Sequence, residues 1–397
     1  MLFRKTVSIC LSIVLCVCFC ITSFASENYD LNEASAPFII STLPIPQDVD
    51  DYAIDIFSRL SLSNFAAMGF DSSEIVDLSL SPGFNMVDAE SNNYINNVYH
   101  YIIKSGDNFV GSLVVTNTYG EYNFQISKSE YAAELNEVRR NVSRDGNKLF
   151  TVVATDDSCY CVDRNATYIL DVKDTVSAAS LSKSIKLSPV YGGEYIDISD
   201  TIYNLNSVTQ NSVNDSYILN VPYCSNVVVN GVGTCWISVA ASIIDFRLNG
   251  AFSSESSANQ YRNLILQNAY VIANNYAGTI SDICAFINSP TLCSYIVYSG
   301  MPLFTITQSL MYMGSPCAIE FLSLSPWSTA SHAVVLAGFS CLSSNPHDPA
   351  GQACYIMDPN TTGITMIGYS SYYYPWWNNS QGFMWNSTAI NSTDMPY

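Results

Sequence analysis

The run Gly233-Thr234-Cys235-Trp236-Ile237-Ser238-Val239-Ala240-Ala241-Ser242-Ile243-Ile244 sets a cysteine between a glycine-bearing loop and a stretch that reads as a buried helix. A helix start carries N–H groups without intrahelical partners and the positive end of the helix dipole. Both favour thiolate over thiol, and the thiolate is the nucleophile. Trp236 would shield one side of the sulfur from water. Ala240, Ala241 and Ser242 are small enough to let the helix pack closely on its neighbours. Cys235 is the candidate nucleophile.

A nucleophilic thiolate needs a base that makes it and a group that orients the base. Downstream, His332 is followed at once by Ala333-Val334-Val335-Leu336-Ala337-Gly338-Phe339, which reads as an apolar strand with the imidazole at its beginning. Asp358 ends the short apolar run Tyr355-Ile356-Met357 and precedes Pro359. There it would accept from the imidazole Nδ1–H and hold the ring in its working tautomer. Asn360 is a second candidate for that role. Singly, a packed histidine and an Asp-Pro turn explain these residues as well. In the order Cys, His, Asp, on three separate elements, they read as a triad. His100 has no acidic or thiol companion and reads as a half-buried histidine. His347, beside Pro346 and Asp348, reads as a loop residue.

These stretches, together with Val221-Pro222-Tyr223 upstream, resemble the papain-like cysteine peptidases of bacteria. They are most similar to the branch with double-glycine leader peptidases and secreted plant-pathogen effector proteases. The resemblance covers about the last 180 residues. It implies a papain-like α+β domain, with the nucleophile helix packed on an antiparallel sheet. It implies Cys235 as nucleophile, His332 as base and then acid, and Asp358 as orienting group, with a protein or peptide substrate and no cofactor or metal. One departure stands out. The family places a glutamine shortly before the cysteine to bind the oxyanion, and none lies between Val221 and Cys235. Asn226 and Asn230 carry the same amide on a shorter stem and are the candidates to replace it.

Outward from this core, the chain of 397 residues is long enough for two domains. Arg4 and Lys5, an apolar run from Ser8 to Ile21, and Ser23-Phe24-Ala25 read as a signal peptide over residues 1–25. A secreted, extracellular protein is expected, with no integral membrane segment after its removal. The net charge of −19 argues against nucleic acid as a partner. From Val221 onward the only Lys or Arg residues are Arg247 and Arg262, a shift that marks a boundary. Residues 204–216, rich in Asn, Ser, Thr and Val, read as a linker. Residues 26–213 then form an α+β pro-region, which would block the cleft or assist folding until removed. Residues 214–397 form the peptidase domain, helices first and antiparallel strands later.

Nine of the 13 cysteines follow the signal peptide, and an exported chain meets oxidising conditions. With Cys235 set aside, eight remain to pair. Cys341 with Cys354 is the first expectation and Cys284 with Cys293 the second. The tyrosine-rich stretch with Trp376, Trp377 and Trp385 reads as packing rather than a ligand platform. Sequons at Asn141, Asn378 and Asn386 carry no weight without a glycosylating source. Two rival functions share this pattern. One is another Cys-His-Asp enzyme: a transglutaminase, cell-wall amidase or arylamine acetyltransferase. The other is an inactive, peptidase-like binding or adhesion module.

Overall fold

A computed structural model describes residues 37–142, 149–155, 158–172, 189–190, 193–205, 215–325, 330–345, 347–361, 363–370, 372–373 and 382–395. The expected signal peptide and most of the expected linker lie outside the described residues, as do Trp376, Trp377 and Asn378. The fold is mixed α+β.

One large sheet organises it. From one edge its strands run Tyr203–Asn204, Leu78–Leu80, Val98–Ser105, Asn108–Thr118 and Glu121–Ser127. They continue as Thr365–Gly368, Gln352–Met357, Ser331–Cys341, Cys317–Ser323, Phe383–Asn391 and Tyr295–Ser299. The first five belong to the N-terminal region and the rest to the C-terminal region. The two sets meet in an antiparallel pair, with Ser127 opposite Thr365, Ile126 opposite Met366 and Gln125 opposite Ile367. The composition boundary is therefore not a boundary of the sheet.

The core crosses this seam as well. Phe57, Phe65, Tyr101, Leu113 and Phe124 share one buried cluster with Leu342, Ala353, Tyr355 and Met366. Asn64, fully buried, donates through Nδ2 to Ser340 Oγ at 2.9 Å and to Tyr355 Oη at 2.8 Å. Its Oδ1 accepts from the Ser61 N–H in a capping box that starts the helix Leu62–Ala67. A separate helix, Gln47–Ser58, precedes it, and Ser61 starts the second.

A second sheet lies wholly in the N-terminal region: Thr167–Val172, Ser158–Val162, Leu149–Ala154, Ile39–Thr42 and Glu194–Asp197 in that order. The helix Glu130–Val142 packs against both sheets, and Phe38, Tyr131, Leu135 and Phe150 fill the space. His100 is fully buried here rather than half-buried, stacked on Phe84, and burial pushes its pKa down to about 3.

In the C-terminal region the helix Cys235–Asn249 lies against the sheet, buried from Trp236 to Asp245. Ala240 and Ala241 have no exposed surface and allow close contact with the strand Ser331–Cys341. No disulfide joins any two of the nine described cysteines in this structure. Cys354 stands opposite Phe339 and Cys341 opposite Gln352, so the two cysteines lie diagonally across the ladder. No helix among the described residues is long and apolar enough to cross a membrane.

Candidate active site

Cys235 is the first residue of its helix, where the first-turn N–H groups lack intrahelical acceptors. Trp236, behind it, donates its indole N–H to the Tyr276 carbonyl at 2.9 Å. Gly278 makes room for that ring: a Cβ there would sit 2.3 Å from Trp236 Cε2. The loop before the helix is pinned too, with Ser238 Oγ donating to the Ser225 carbonyl at 2.9 Å.

His332 is the second residue of the strand Ser331–Cys341 and is 3% exposed. Asp358 follows the strand Gln352–Met357, whose last residue pairs with Val335. Two neighbouring strands of one sheet thus bring the imidazole and carboxylate together. His332 Nε2 lies 2.8 Å from Asp358 Oδ1. This differs from the expected Nδ1 contact. Nδ1 is left for the thiol, and Cys235 is hydrogen-bonded to His332.

Asp358 is fully buried and fully engaged. Its Oδ1 also accepts from the Asn360 N–H at 2.8 Å, and its Oδ2 from Tyr373 Oη at 2.9 Å. Tyr373 was invisible as a site residue in the sequence, one tyrosine among several in a stretch that reads as packing. The Asn360 side chain reaches the loop before the helix. Its Oδ1 accepts from Asn226 Nδ2 at 2.7 Å.

The two asparagines upstream of the cysteine part company. Asn226 is 5% exposed, accepts from the Thr234 N–H at 2.9 Å, and lines the cleft beside Cys235. Its own N–H is bonded to the Pro359 carbonyl, which ties this loop to the Asp358 turn. Asn230 sits at the tip of the small hairpin Val228–Val229 and Val232–Gly233, exposed, with φ +52° followed by Gly231 at φ +80°. An Asn-Gly pair with positive φ at both positions is what a two-residue hairpin turn requires. Asn230 is thus a turn residue off the cleft, and the amide that faces the site belongs to Asn226.

The charges reinforce one another. Burial works against an imidazolium, but the Asp358 carboxylate and the bond to it outweigh burial and push His332 up to about 10. Burial likewise raises the Cys235 thiol, but the bond and charge of His332 and the Ala333 N–H hold it below its ordinary value. Burial would keep Asp358 neutral, yet His332, the Asn360 N–H and Tyr373 hold its carboxyl below the usual range. The favoured state is thiolate, imidazolium and carboxylate in a row. The other buried thiols go the opposite way: with little to offset burial, Cys284 rises to about 11 and Cys317 to about 12.

The row opens into a cleft of about 470 Å³. Its walls come from Cys235 and Trp236, the loop Ala277–Thr279, Ile280 and Ile283 of the next helix, and Glu320, His332, Ala333 and Phe383 of the sheet. None of the described residues of the N-terminal region lines it. His347 is an exposed loop residue. No known family model matches the chain, and neither does any curated protein.

Proposed function

We propose that this protein is a secreted cysteine peptidase with a papain-like catalytic domain. The observation that carries the reading is His332 held between the Cys235 thiol and the buried Asp358 carboxylate at the wall of an open cleft. A thiolate paired with an imidazolium is both a ready nucleophile and a ready acid.

The steps follow from the chain's own groups. The Cys235 sulfur attacks the carbonyl carbon of a peptide bond. The oxyanion that forms is met by the Cys235 N–H at the helix start and by Asn226 Nδ2, which has a second hydrogen beyond the one given to Asn360. His332 delivers its proton to the departing amine, leaving an acyl-enzyme. It then takes a proton from water, whose oxygen attacks the thioester and frees the acid. Asp358 holds the ring throughout and steadies its positive charge.

The N-terminal region is proposed as a pro-region processed near residues 204–216. Its shared core with the catalytic half favours a role in supporting the fold over one of filling the cleft.

A thiol-directed epoxide probe tests the reading on the full chain, together with hydrolysis of casein. Labelling at Cys235 that disappears in His332→Ala, with casein cleavage lost in Cys235→Ala, is expected. Labelling without cleavage, and turnover instead of amine donors or peptidoglycan fragments, moves the protein to another acyl-transfer class. No labelling of the reduced protein favours a binding module.

A further inference from the structure

One wall of the cleft carries a charge that the proposed chemistry does not use. Glu320 lies mid-strand in Cys317–Ser323, half-buried, between the fully buried Ile319 and Phe321. It pairs across the ladder with Ala333, the residue whose N–H bonds the Cys235 sulfur. Cross-strand partners are about 5 Å apart, and Glu320 lines the same cleft as Cys235 and His332. A register shift against the strand Phe383–Asn391 falls between Glu320 and Phe321, where Ser387 and Trp385 are the successive partners. Bulges of this kind re-aim a side chain.

The carboxylate is held but not neutralised. Oε2 accepts from Asn386 Nδ2 and from Ser387 Oγ, each at 2.8 Å. The sequon asparagine Asn386 therefore spends its amide on this contact. No ion pair among the described residues includes Glu320. The only Lys or Arg residues after residue 220 are already engaged, Arg247 with Asp394 and Ser315, and Arg262 with Ser225. In the same cleft, Ala333, Phe383 and Ile283 supply apolar wall. A fixed carboxylate at the end of an apolar wall suits a long aliphatic side chain with a positive end.

We propose that Glu320 forms a specificity subsite for a lysine or arginine side chain of the peptide, next to the bond attacked by Cys235. The inference rests on the peptidase reading for its substrate class. Oε2 already has two donors, so the incoming cation meets Oε1. One oxygen accommodates an ammonium, or one edge of a guanidinium, so both residues are accepted.

The test uses N-acetylated fluorogenic peptides in which lysine or arginine is exchanged for norleucine or citrulline at each position in turn. Acetylation removes the terminal ammonium, so any preference belongs to the side chain. At one position near the cleaved bond the full chain should prefer the cationic peptide by about tenfold or more in kcat/KM, about 1.4 kcal/mol. In Glu320→Gln that ratio should fall to near one. The same peptide pairs are titrated by fluorescence anisotropy against Cys235→Ala, with and without Glu320→Gln. A cationic preference in binding that Glu320→Gln abolishes supports the subsite even where the wild type cleaves nothing, and then only the peptidase reading falls. Equal cleavage and equal binding of charged and neutral peptides overturn the subsite, and so does a preference that survives Glu320→Gln. Binding of neither peptide by Cys235→Ala overturns it also.

Discussion

Asp358→Asn isolates the charge in the row Cys235, His332 and Asp358. The exchange keeps the shape, and the hydrogen bonds survive: an asparagine Oδ1 still meets His332 Nε2–H and the Asn360 N–H. The Tyr373 hydroxyl, now a donor to Oδ2, turns to accept from the new amide. What disappears is the negative charge 2.8 Å from the imidazole. An opposite charge at such range moves a pKa by about 1–3, or roughly 1–4 kcal/mol, a factor of about ten to a thousand. His332, held up at about 10, falls accordingly, and burial then pulls it lower still. Cys235 loses the imidazolium whose bond and charge hold its thiol down. That is a larger effect than the direct Asp358 charge, which raises the thiol and is lost with it, so burial pushes the thiol up. In the wild type the thiolate–imidazolium pair spans the window from the depressed thiol pKa to about 10. In Asp358→Asn both edges move inward and the window narrows or closes. Alkylation of Cys235 by iodoacetamide as a function of pH reads the thiolate directly and needs no substrate. The onset should move to higher pH in the variant. An unmoved onset would falsify the claim that the carboxylate's charge, and not its geometry alone, sustains the pair.

Three further expectations follow from particular contacts. Asn226→Ala should lower kcat by about a hundredfold or more with little change in KM, the signature of a lost oxyanion donor, while Asn230→Ala leaves kcat alone. Loss of neither or of both would contradict the assignment of roles to the two asparagines. Gly278→Ala places a Cβ against the Trp236 ring and should cost about 1–3 kcal/mol, seen as a lower urea midpoint; an unchanged midpoint means that the ring has room to shift. Asn64→Ala removes the buried donor that Ser340 and Tyr355 share, leaves those hydroxyls to each other, and should cost about 1–3 kcal/mol across the seam, with melting of near-ultraviolet dichroism as the readout.

The alignment of Cys235, His332 and Asp358 was legible because each sits beside a strong local signal. Gly233 and the apolar run announce the helix start, Ala333 to Phe339 announce the histidine's strand, and Pro359 marks the end of the aspartate's strand. The ring nitrogen that faces Asp358 was not legible, since it depends on which way two adjacent strands are registered. Asn230 looked equal to Asn226 because spacing alone does not reveal that the Asn-Gly pair is consumed by a turn. Tyr373 joins the site through its hydroxyl bond to Asp358, and Glu320 is held by Ser387 of a strand 67 residues on; no local pattern encodes those contacts. The seam escaped for the same reason. The drop in charge after residue 220 is real, yet Glu121–Ser127 finds its partner more than two hundred residues later in Thr365–Gly368.

That seam determines what a proteolytic nick would achieve. A cut among residues 206–214 severs one covalent thread and leaves every backbone hydrogen bond between Glu121–Ser127 and Thr365–Gly368 in place. The product is a two-chain particle that travels at the mass of the intact polypeptide on a sizing column and splits only in denaturant. Neither fragment is expected to survive alone, because each would present a raw strand edge and half of an oily interior to water.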